Sequence, residues 1–574
     1  MTSEQERIAS AQREINRQLW TCAVVLGIPS CLLVIVSGLL AWSLWPRLSS
    51  YFFAEIAPLF RTTPAVLHVR PDGASRGCGS WENACGLQTA LAMARRGDEI
   101  WVQTGVYTPA PDTRSLEATF QLRDGVALYG GFAGTETTRD QRDWEGLVTV
   151  LSGDLGGDDA TDPNGVVTDT AKIAGPNAYH VVTGSGVSST AVLDGFTVTA
   201  GYANLTPPNI HAYGGGMFNW TGSPTLRNVI FSGNTAGKGA PGRGGGGMFN
   251  IHASNPMLSN VLFTLNTAGS GGGMYNHASN PTLSGVTFTA NKAIDSGGME
   301  NYAGSRPTLM DVIFSGNQAS QNGGGMGNSN ASPSLKRVKF QSNSAGDYGG
   351  GMANFESSPT LQDVEFLGNR SGREGGGMLS ALSSRPVLMN VAFVRNFTTI
   401  NGGGMLNSES TPTLTNVTFF DNIAAAYGGG MCNTFSSRAE LANVTFTGNR
   451  APHGSALCNV SSSATLVNAI VWGNAPGQDQ IYNDHATSDI TYSDVEGGYP
   501  GAGNLNVDPG LAVFGAHGGY ASLFALLDGS PLVDRGSPAG CPGSDQRGRP
   551  RPADGDGDGS AACDIGAFEL QPQE

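Results

Sequence analysis

The sequence predicts an all-β protein, a right-handed parallel β-helix preceded by a single transmembrane helix. The main observation is a repeat of about 26 residues that occurs ten times between Gly214 and Asn474. A fixed period of this size indicates stacked units that bury their apolar faces against their neighbours. The common pattern of the copies is a glycine run, Met-x-Asn, Pro-Thr-Leu, Asn-Val-x-Phe and Gly-Asn. The Met position holds Met217, Met248, Met274, Met299, Met326, Met352, Met378, Met405, Met431 and, in the tenth copy, Leu457.

Alternation within the short strands is the second observation. Val229 and Phe231 recur from copy to copy, whereas the slot of Ile230 between them varies. Successive side chains of a strand point to opposite faces, so Val and Phe are predicted to line the interior. Met and the Asn two residues later are predicted to face inward as well, with the Asn side chains forming a ladder of stacked amides. The Asn of the Gly-Asn pair is expected to serve a turn with a left-handed backbone.

Other repeat architectures fit less well. Leucine-rich repeats need helix-like segments, and propeller blades need about 40 residues. The calcium-binding nonapeptide repeat requires a regularly placed Asp that is missing here. The period and the absence of helical periodicity therefore favour the β-helix.

The flanking regions read as further, less regular turns. Residues 65–213 are predicted to form an N-terminal cap and irregular β-helix turns, with a short amphipathic helix at residues 87–96. Residues 214–474 are the regular repeats, and residues 475–574 are predicted to be C-terminal turns and a cap with an acidic Asp/Gly loop. Strands outside the repeats are expected at residues 99–102, 126–129, 148–150, 193–199 and 490–492.

The N-terminal region predicts a membrane anchor. Residues 19–45 carry no charge, and as a helix they exceed the roughly 30 Å hydrocarbon core of a bilayer. Residues 1–18 are then a short cytoplasmic tail and residues 46–64 a linker, and the β-helix is extracellular or periplasmic. A cleaved signal peptide is the alternative, although its apolar region is usually only about 7–15 residues long.

Composition excludes one large class of partner. The chain has a net charge of −15, and only 14 % of its residues are charged. Nucleic-acid binding requires clustered Lys and Arg, and no such cluster occurs in the sequence. The membrane, through the N-terminal helix, is the first expected partner.

The cysteines agree with export. Six of the eight cysteines fall outside the predicted span, in three natural pairs: Cys78 with Cys85, Cys432 with Cys458, and Cys541 with Cys563. Cys432 and Cys458 hold the same slot in consecutive repeats, and stacked strands about 4.8 Å apart bring such residues within disulfide distance. Two free thiols are the alternative for this pair.

Several motifs resemble known families. Residues 97–102, Gly-Asp-Glu-Ile-Trp-Val, followed by Gly-Val-Tyr at 105–107, resemble the opening of bacterial surface proteins of the pectate-lyase-like β-helix superfamily. The Gly-Gly-Gly-Met and Phe-x-Gly-Asn phrases are similar to repeats of chlamydial polymorphic outer-membrane proteins. The C-terminal stretch 545–569 looks like the last module of β-helix surface proteins. The resemblance implies adhesion, although the C-terminal membrane barrel of the polymorphic outer-membrane proteins is missing.

An aromatic cluster is the first candidate site. The slot after Met and the slot two residues further on are both predicted to face outward, and in the early repeats they hold aromatic side chains. Such rings beside polar groups suit a sugar or a protein partner. The alternative is that the segment 202–213 or the insertion near Gly237 folds over them. The candidate binding residues are Phe218, Trp220, Phe249, Tyr275, His277 and Tyr302.

A charged ladder is the second candidate. Equivalent slots of three middle turns hold Asp311, Arg337 and Asp363, and neighbouring outward slots hold Lys339 and Glu365. Two carboxylates two turns apart, about 9–10 Å, reach the outer limit for an inverting glycosidase. Arg337 between them is expected to keep both ionised, however, and cross-strand pairing of opposite charges explains the pattern without catalysis.

An acidic loop is the third candidate. Asp554, Asp556 and Asp558 alternate with glycine, and Asp564 follows. The spacing matches the first half of an EF-hand loop, but Ile565 stands where a bidentate Glu is expected. Calcium is therefore the one cofactor to consider; the alternative is a flexible acidic loop.

The sequence thus predicts a membrane-anchored, extracytoplasmic β-helix protein that binds a surface glycan or protein without catalysis. The competing hypothesis is a polysaccharide lyase or glycoside hydrolase that works on the outer face with Asp311, Arg337, Asp363 and Glu365.

Overall fold

The computed structural model describes residues 63–74, 77–237, 244–475 and 479–572. The predicted cytoplasmic tail, the predicted transmembrane helix at 19–45 and the predicted linker up to residue 62 lie outside the described residues. Within the described ranges, no helix has the length and apolar character needed to cross a bilayer. Residues 65–574 belong to one unit, which is described below.

The ten repeats and the less regular turns on either side of them form a right-handed-type parallel β-solenoid of about 15 turns. The predicted β-helix is therefore confirmed. Each strand pairs in parallel with the equivalent strand of the next copy, as Met217 does with Met248 and Val229 with Val261. Three parallel sheets result, because each turn contributes one strand or strand pair to each face. We number them sheet 1, sheet 2 and sheet 3.

Sheet 1 has 21 strands. They are Val66–Val69, Glu99–Gln103, Gly105–Tyr107, Ala127–Phe132, Thr149–Ser152, Val192–Asp194, Thr197–Thr199, Thr225–Ser232, Met257–Thr264, Thr282–Ser284, Thr287–Thr289, Thr308–Ser315, Ser334–Gln341, Thr360–Leu367, Val387–Val394, Thr413–Phe420, Arg438–Thr447, Ser463–Val467, Ile470–Val471, Thr487–Thr491 and Asp494–Val495. The strands predicted outside the repeats, at 99–102, 126–129, 148–150, 193–199 and 490–492, all fall within or overlap strands of this sheet.

Sheet 2 has 13 strands and sheet 3 has nine. Sheet 2 contains Phe120–Gln121, Val182–Thr183, Met217–Trp220, Met248–Ile251, Met274–His277, Met299–Tyr302, Met326–Ser329, Met352–Phe355, Met378–Ala381, Met405–Ser408, Met431–Thr434, Leu457–Val460 and Ile481–Asp484. Sheet 3 contains Tyr202–Ala203, Thr235–Ala236, Thr267–Ser270, Lys292–Asp295, Gln318–Ala319, Ser344–Ala345, Arg370–Ser371, Phe397–Thr398 and Ile423–Ala424.

The interior is lined as the alternation predicts. Nine phenylalanine rings, from Phe231 to Phe446, stack face to face with ring centroids 4.7 to 4.9 Å apart. Phe314 and Phe340 lie directly above one another at 4.8 Å. The Met of each described copy is fully buried as well. Because every turn adds the same side chains at the strand spacing, burial of apolar surface is continuous along the axis.

Two amide ladders run through the interior, one more than predicted. In the first, the inward Asn of sheet 2 donates to its neighbour, as Asn219 does to Asn250 at 2.8 Å. Ser380 interrupts this ladder, so Asn354 donates to the Leu379 carbonyl instead. The second ladder is formed by the Asn of the Gly-Asn pair.

The expectation that this second Asn row serves left-handed turns is therefore wrong. Asn317 is fully buried, accepts from the amide of Asn291 and donates to Asn343 at 3.0 Å. The residue before it, Gly316, has the left-handed backbone, with φ of 63°. A buried amide needs partners for all its polar atoms, and stacking identical side chains supplies them.

The N-terminal end is closed by the predicted helix, at Leu87–Met93, which packs against the first strands. Leu87, Ala90 and Leu91 are its buried residues and join the main apolar core. Among the described residues, four short 3-10 helices lie in connections or in the C-terminal region: Arg139–Gln141, Thr170–Lys172, Ile210–Ala212 and Pro538–Gly540.

The C-terminal residues cover a side of the β-helix and not only its end. Tyr499 packs against the core at the last turn, as a cap does. The chain then returns along the outer face of sheet 1, where Gln546 accepts from Thr418 at 2.7 Å and Ser522 donates to Glu365 at 2.9 Å. The predicted cap thus extends over turns far from the C-terminal end, and it buries outward slots such as that of Glu365.

All three predicted disulfides are bonded in the structure. Cys432 and Cys458 face each other in register on sheet 2, with Cα atoms 4.5 Å apart. Cys78–Cys85 fastens the N-terminal region, and Cys541–Cys563 fastens the segment that covers sheet 1.

Candidate functional site

A groove on the outer face of sheet 2 is the candidate site. It forms because the side chains that follow Met in successive turns change size along the axis. The row is Phe218, Phe249, Tyr275, Glu300, Gly327, Ala353, Leu379 and Leu406. Gly327 and Ala353 are too small to fill the space that their neighbours occupy. The result is a hollow of about 660 Å³, within the usual range for ligand sites.

A segment of ten residues, 204–213, forms one wall of the groove, and we call it the strap. The ring of Tyr213 stacks on Phe249 with centroids 4.7 Å apart. Phe218, Phe249 and Tyr275 are consequently only 4, 3 and 7 % exposed. The prediction that these three rings are exposed is therefore wrong. The structure instead agrees with the alternative, in which the segment 202–213 folds over them.

The second predicted aromatic row remains open to solvent. Trp220 is 41 % exposed and Tyr302 is 44 % exposed, and both line the groove. His277 lies between them along the axis, with its ring 5.4 Å from that of Tyr302. Phe355 continues the row two turns beyond Tyr302 and also lines the groove. All six predicted binding residues thus border one hollow, three as buried support and three at its surface.

A buried carboxyl group lies in the groove. Glu300 occupies the slot after Met, and its carboxyl group lies above Gly327, where a Cβ atom would come within 2.5 Å of Oε2. The same oxygen, Oε2, accepts a hydrogen bond from the Ser296 hydroxyl. Burial raises the pKa of Glu300 to about 8, so the group is largely protonated at neutral pH. A larger residue than glycine at 327 would displace this carboxyl group.

Several polar atoms of the groove have unused hydrogen-bonding capacity. Asn322 donates to Asp295 at 2.9 Å, but its own Oδ1 has no partner within the described part of the chain. His277 Nδ1 is likewise buried without a partner among the described residues. Burial also raises the pKa of Asp295 and lowers that of His277. Buried polar atoms without partners are costly, and a ligand with hydroxyl groups would satisfy them.

The charged ladder is the ion-pair arrangement that cross-strand pairing predicts. Arg337 contacts both carboxylate oxygens of Asp311, at 2.6 and 2.8 Å, and this hydrogen bonding lowers the pKa of Asp311. Asp363 instead accepts from Asn390 at 3.0 Å. Glu365 is buried beneath Ser522 and pairs with Lys339 at 3.3 Å. A carboxylate held by a guanidinium is a poor proton donor, so Asp311 is not suited to act as an acid. A catalytic role for Asp363 and Glu365 stays a prediction.

The acidic loop gathers a different set of carboxylates from the predicted one. Asp534, Asp554 and Asp556 have oxygens within 4.8 Å of one another. Asp558 is not in this group. Asp564 is buried next to Asp534 but is not in the group either, and its carboxylate accepts from the backbone amides of Asp534 and Leu570. Asp534 was missed because it lies 20 residues before the Asp/Gly run and only folding brings it near. The calcium site stays a prediction.

Glu300, Asp295 and Asn322 were also missed by the sequence reasoning. A signal did exist for Glu300, because it is the one acidic side chain in the slot after Met across the ten copies. The change from Tyr275 through Glu300 to Gly327 in that slot marks where the hollow begins. Asp295 ends the sheet 3 strand Lys292–Asp295, Asn322 lies in the bend between sheets 3 and 2 one turn later, and neither carries a repeat signature.

Comparisons with known proteins give a likeness to solved structures and no family. No family model matches the chain, and no curated protein matches it. Among solved structures, the crystal structure of pectate lyase Pel9A aligns with 89 % of this chain and 97 % of its own, at 12 % sequence identity and a TM-score of 0.33. The strand pairings, and not this loose overlay, establish the parallel β-helix. The resemblance to polymorphic outer-membrane proteins stays a prediction.

Proposed function

We propose that the protein binds a glycan chain in the groove of sheet 2. The observation that carries this proposal is the row of open side chains from Trp220 to Phe355, set beside buried polar atoms without partners. Sugar rings stack their C–H faces on aromatic rings and offer hydroxyl groups to polar atoms. Both kinds of contact are available along one face.

The dimensions of the groove suit a chain rather than a single sugar. The row runs through six consecutive strands of sheet 2, from Met217–Trp220 to Met352–Phe355. Five steps at the strand spacing of about 4.8 Å amount to about 24 Å. A linear oligosaccharide laid along the β-helix axis would therefore contact Trp220, His277 and Tyr302 in turn.

Glycan binding is tested by arraying oligosaccharides against the full chain in detergent. We expect binding that weakens at least tenfold in Trp220→Ala and in Tyr302→Ala, because each removes a stacking face. Phe435→Ala is the matched control, since Phe435 is an aromatic residue that is 67 % exposed and does not line the groove. An array without signal, or equal losses in the control, would reject the proposal.

Glycoside hydrolysis is a second candidate function, and the observation that favours it is Glu300. A protonated carboxyl group beside a second carboxyl group, Asp295, is the pair that glycosidases use to protonate the leaving oxygen and activate water. The test is release of new reducing ends from the oligosaccharides that bind. Hydrolysis that survives Glu300→Gln would remove this residue from the reaction.

We further propose that this binding takes place outside the cytoplasm, with residues 19–45 as the membrane anchor. Three disulfides within residues 78–563 support an oxidising compartment. Adhesion to a surface glycan is the biological role that such a location favours. Alkaline carbonate extraction of membranes tests the anchor, because an integral protein stays in the pellet. Release into the supernatant would contradict it.

A further inference from the structure

We infer that the groove selects glycan chains without acidic groups and rejects uronates and sulfated sugars. This inference rests on the proposed function and adds the class of ligand. It follows from the charges that line the groove. Two carboxyl groups, Asp295 and Glu300, are present, and the described residues that line it include neither Lys nor Arg. The lining also includes His277, and burial lowers the pKa of its imidazole, which favours the uncharged form.

The position of the two carboxyl groups makes them part of any complex. Glu300 lies over Gly327 in the hollow itself, in the row of side chains that follow Met. Asp295 stands at the edge of the hollow, held by the Asn322 amide at 2.9 Å. Whatever their protonation states, neither group offers the positive charge that a bound carboxylate or sulfate needs.

An anionic sugar would therefore lose its hydration without gaining a counter-charge from the described residues of the groove. Burying an unpaired charge is strongly unfavourable even after the site relaxes. The overall charge of −15 adds a repulsive field that slows the approach of a polyanion. An uncharged sugar meets neither penalty.

The buried polar atoms that lack partners among the described residues also favour uncharged sugars. Asn322 Oδ1 can only accept a hydrogen bond, and an ionised Asp295 is likewise an acceptor. Sugar hydroxyl groups supply the donors that these atoms lack. Tyr302 and Trp220 provide apolar faces for the C–H surfaces of the same rings. Uncharged hexose and N-acetylhexosamine chains combine these two features.

Matched pairs of oligosaccharides test the inference directly. We would measure the affinity of the full chain in detergent for oligomers of a hexose and for the same oligomers oxidised at C6 to uronates. The pairs share linkage, length and stacking faces, and they differ in one carboxylate per ring. We expect the uncharged member of each pair to bind at least tenfold more tightly at pH 7.5.

A substitution identifies the source of the discrimination. Asp295→Asn keeps the size of the side chain and removes its charge, so the preference for the uncharged member should shrink at least threefold. Asp421→Asn, an acidic residue paired with Arg395 and not lining the groove, should leave the preference unchanged.

Glycan binding and the preference for uncharged chains can be rejected separately. Equal or tighter binding of uronates in the groove, lost in Trp220→Ala, would overturn the inference while the glycan-binding function stands. Absence of binding by both members of every pair would reject the function and the inference together.

Discussion

The imidazole of His211 in the strap hydrogen-bonds that of His180 in the β-helix, with Nδ1 and Nε2 3.0 Å apart. His180 Nδ1 also lies 3.0 Å from the carbonyl oxygen of Gly214. Because a carbonyl can only accept, His180 carries its proton on Nδ1 and accepts at Nε2 from His211. Burial lowers the pKa of both imidazoles, which favours their neutral forms. The pair therefore fastens the wall of the groove to the body of the protein.

Loss of this bond is expected to loosen the strap. In His211→Ala, the Tyr213–Phe249 stacking remains, but the hydrogen bond to His180 is gone. A lost buried hydrogen bond costs about 1–1.5 kcal/mol, which is roughly a tenfold change in a local opening equilibrium. Hydrogen exchange of residues 204–213 should accelerate by about that factor. His453→Ala, which removes a ring that stacks on Tyr427 outside the groove, is the control. Unchanged exchange in the strap would contradict the role of the pair.

Acid is expected to destabilise the protein through His180. Burial lowers the pKa of His180 from 6.5 to about 4, with a smaller contribution from neighbouring His211. The unfolded chain binds a proton at this site below about pH 6.5, whereas the folded protein binds it only near pH 4. The stabilisation is thus complete above pH 6.5 and is lost as the pH falls to about 4, on the order of 3 kcal/mol. Melting temperatures measured from pH 7 to pH 4 should fall less steeply in His180→Asn. Parallel curves for the two proteins would contradict this assignment.

Glu300 is expected to have the opposite pH dependence. Its pKa is about 8 in the folded protein, mainly through burial, against 4.5 for an ordinary Glu. The folded state therefore holds the proton longer than the unfolded state. Stability from this group is complete below about pH 4.5 and is lost as the pH rises through 8.

Glu300→Gln removes that ionisation and should raise the melting temperature at pH 9 relative to the parent protein. The gain should nearly disappear at pH 5, where the parent side chain is protonated as well. Glu440→Gln, at an exposed position of sheet 1, should have no effect at either pH. A gain that is equal at both pH values would indicate better packing and not a buried ionisable group.

The same residues illustrate what sequence reasoning can reach. Val229, Phe231 and their equivalents were placed correctly because strand alternation acts locally and repeats in every turn. Phe218 and Phe249 were placed on the correct face, but their burial depends on the strap, whose course no periodicity encodes. The outward slot of Glu365 was predicted to be exposed, but a segment more than 150 residues later in the chain covers it. Repetition predicts the solenoid, whereas unique segments determine which of its surfaces stay open.

Substitutions in the acidic loop can distinguish two possible sets of calcium ligands. The structure groups Asp534 with Asp554 and Asp556, whereas the sequence pattern groups Asp554 and Asp556 with Asp558 and Asp564. If an ion binds, the structure predicts that Asp556→Asn weakens it at least tenfold, because Asp556 belongs to the cluster with Asp534 and Asp554. Asp558→Asn, two residues away and outside the cluster, should change the affinity less than twofold. Calorimetric titration of the chelator-treated full chain measures both. Equal losses would favour the grouping predicted from the sequence.

The second amide ladder is expected to contribute more stability than the first. Asn317 accepts from the amide nitrogen and side chain of Asn291 and donates to Asn343 Oδ1 and the Phe288 carbonyl. Asn328 makes two side-chain bonds, from Asn301 and to Asn354.

Serine should therefore be tolerated better in the first ladder, where Ser380 already occupies one position fully buried. We expect Asn317→Ser to cost about 3 kcal/mol or more and Asn328→Ser about half as much, because fewer buried groups lose their partners. Guanidinium unfolding, followed by circular dichroism, compares the two variants at identical burial and identical change in side-chain volume. If Asn328→Ser were the more destabilising variant, the number of hydrogen bonds could not be what distinguishes the two ladders.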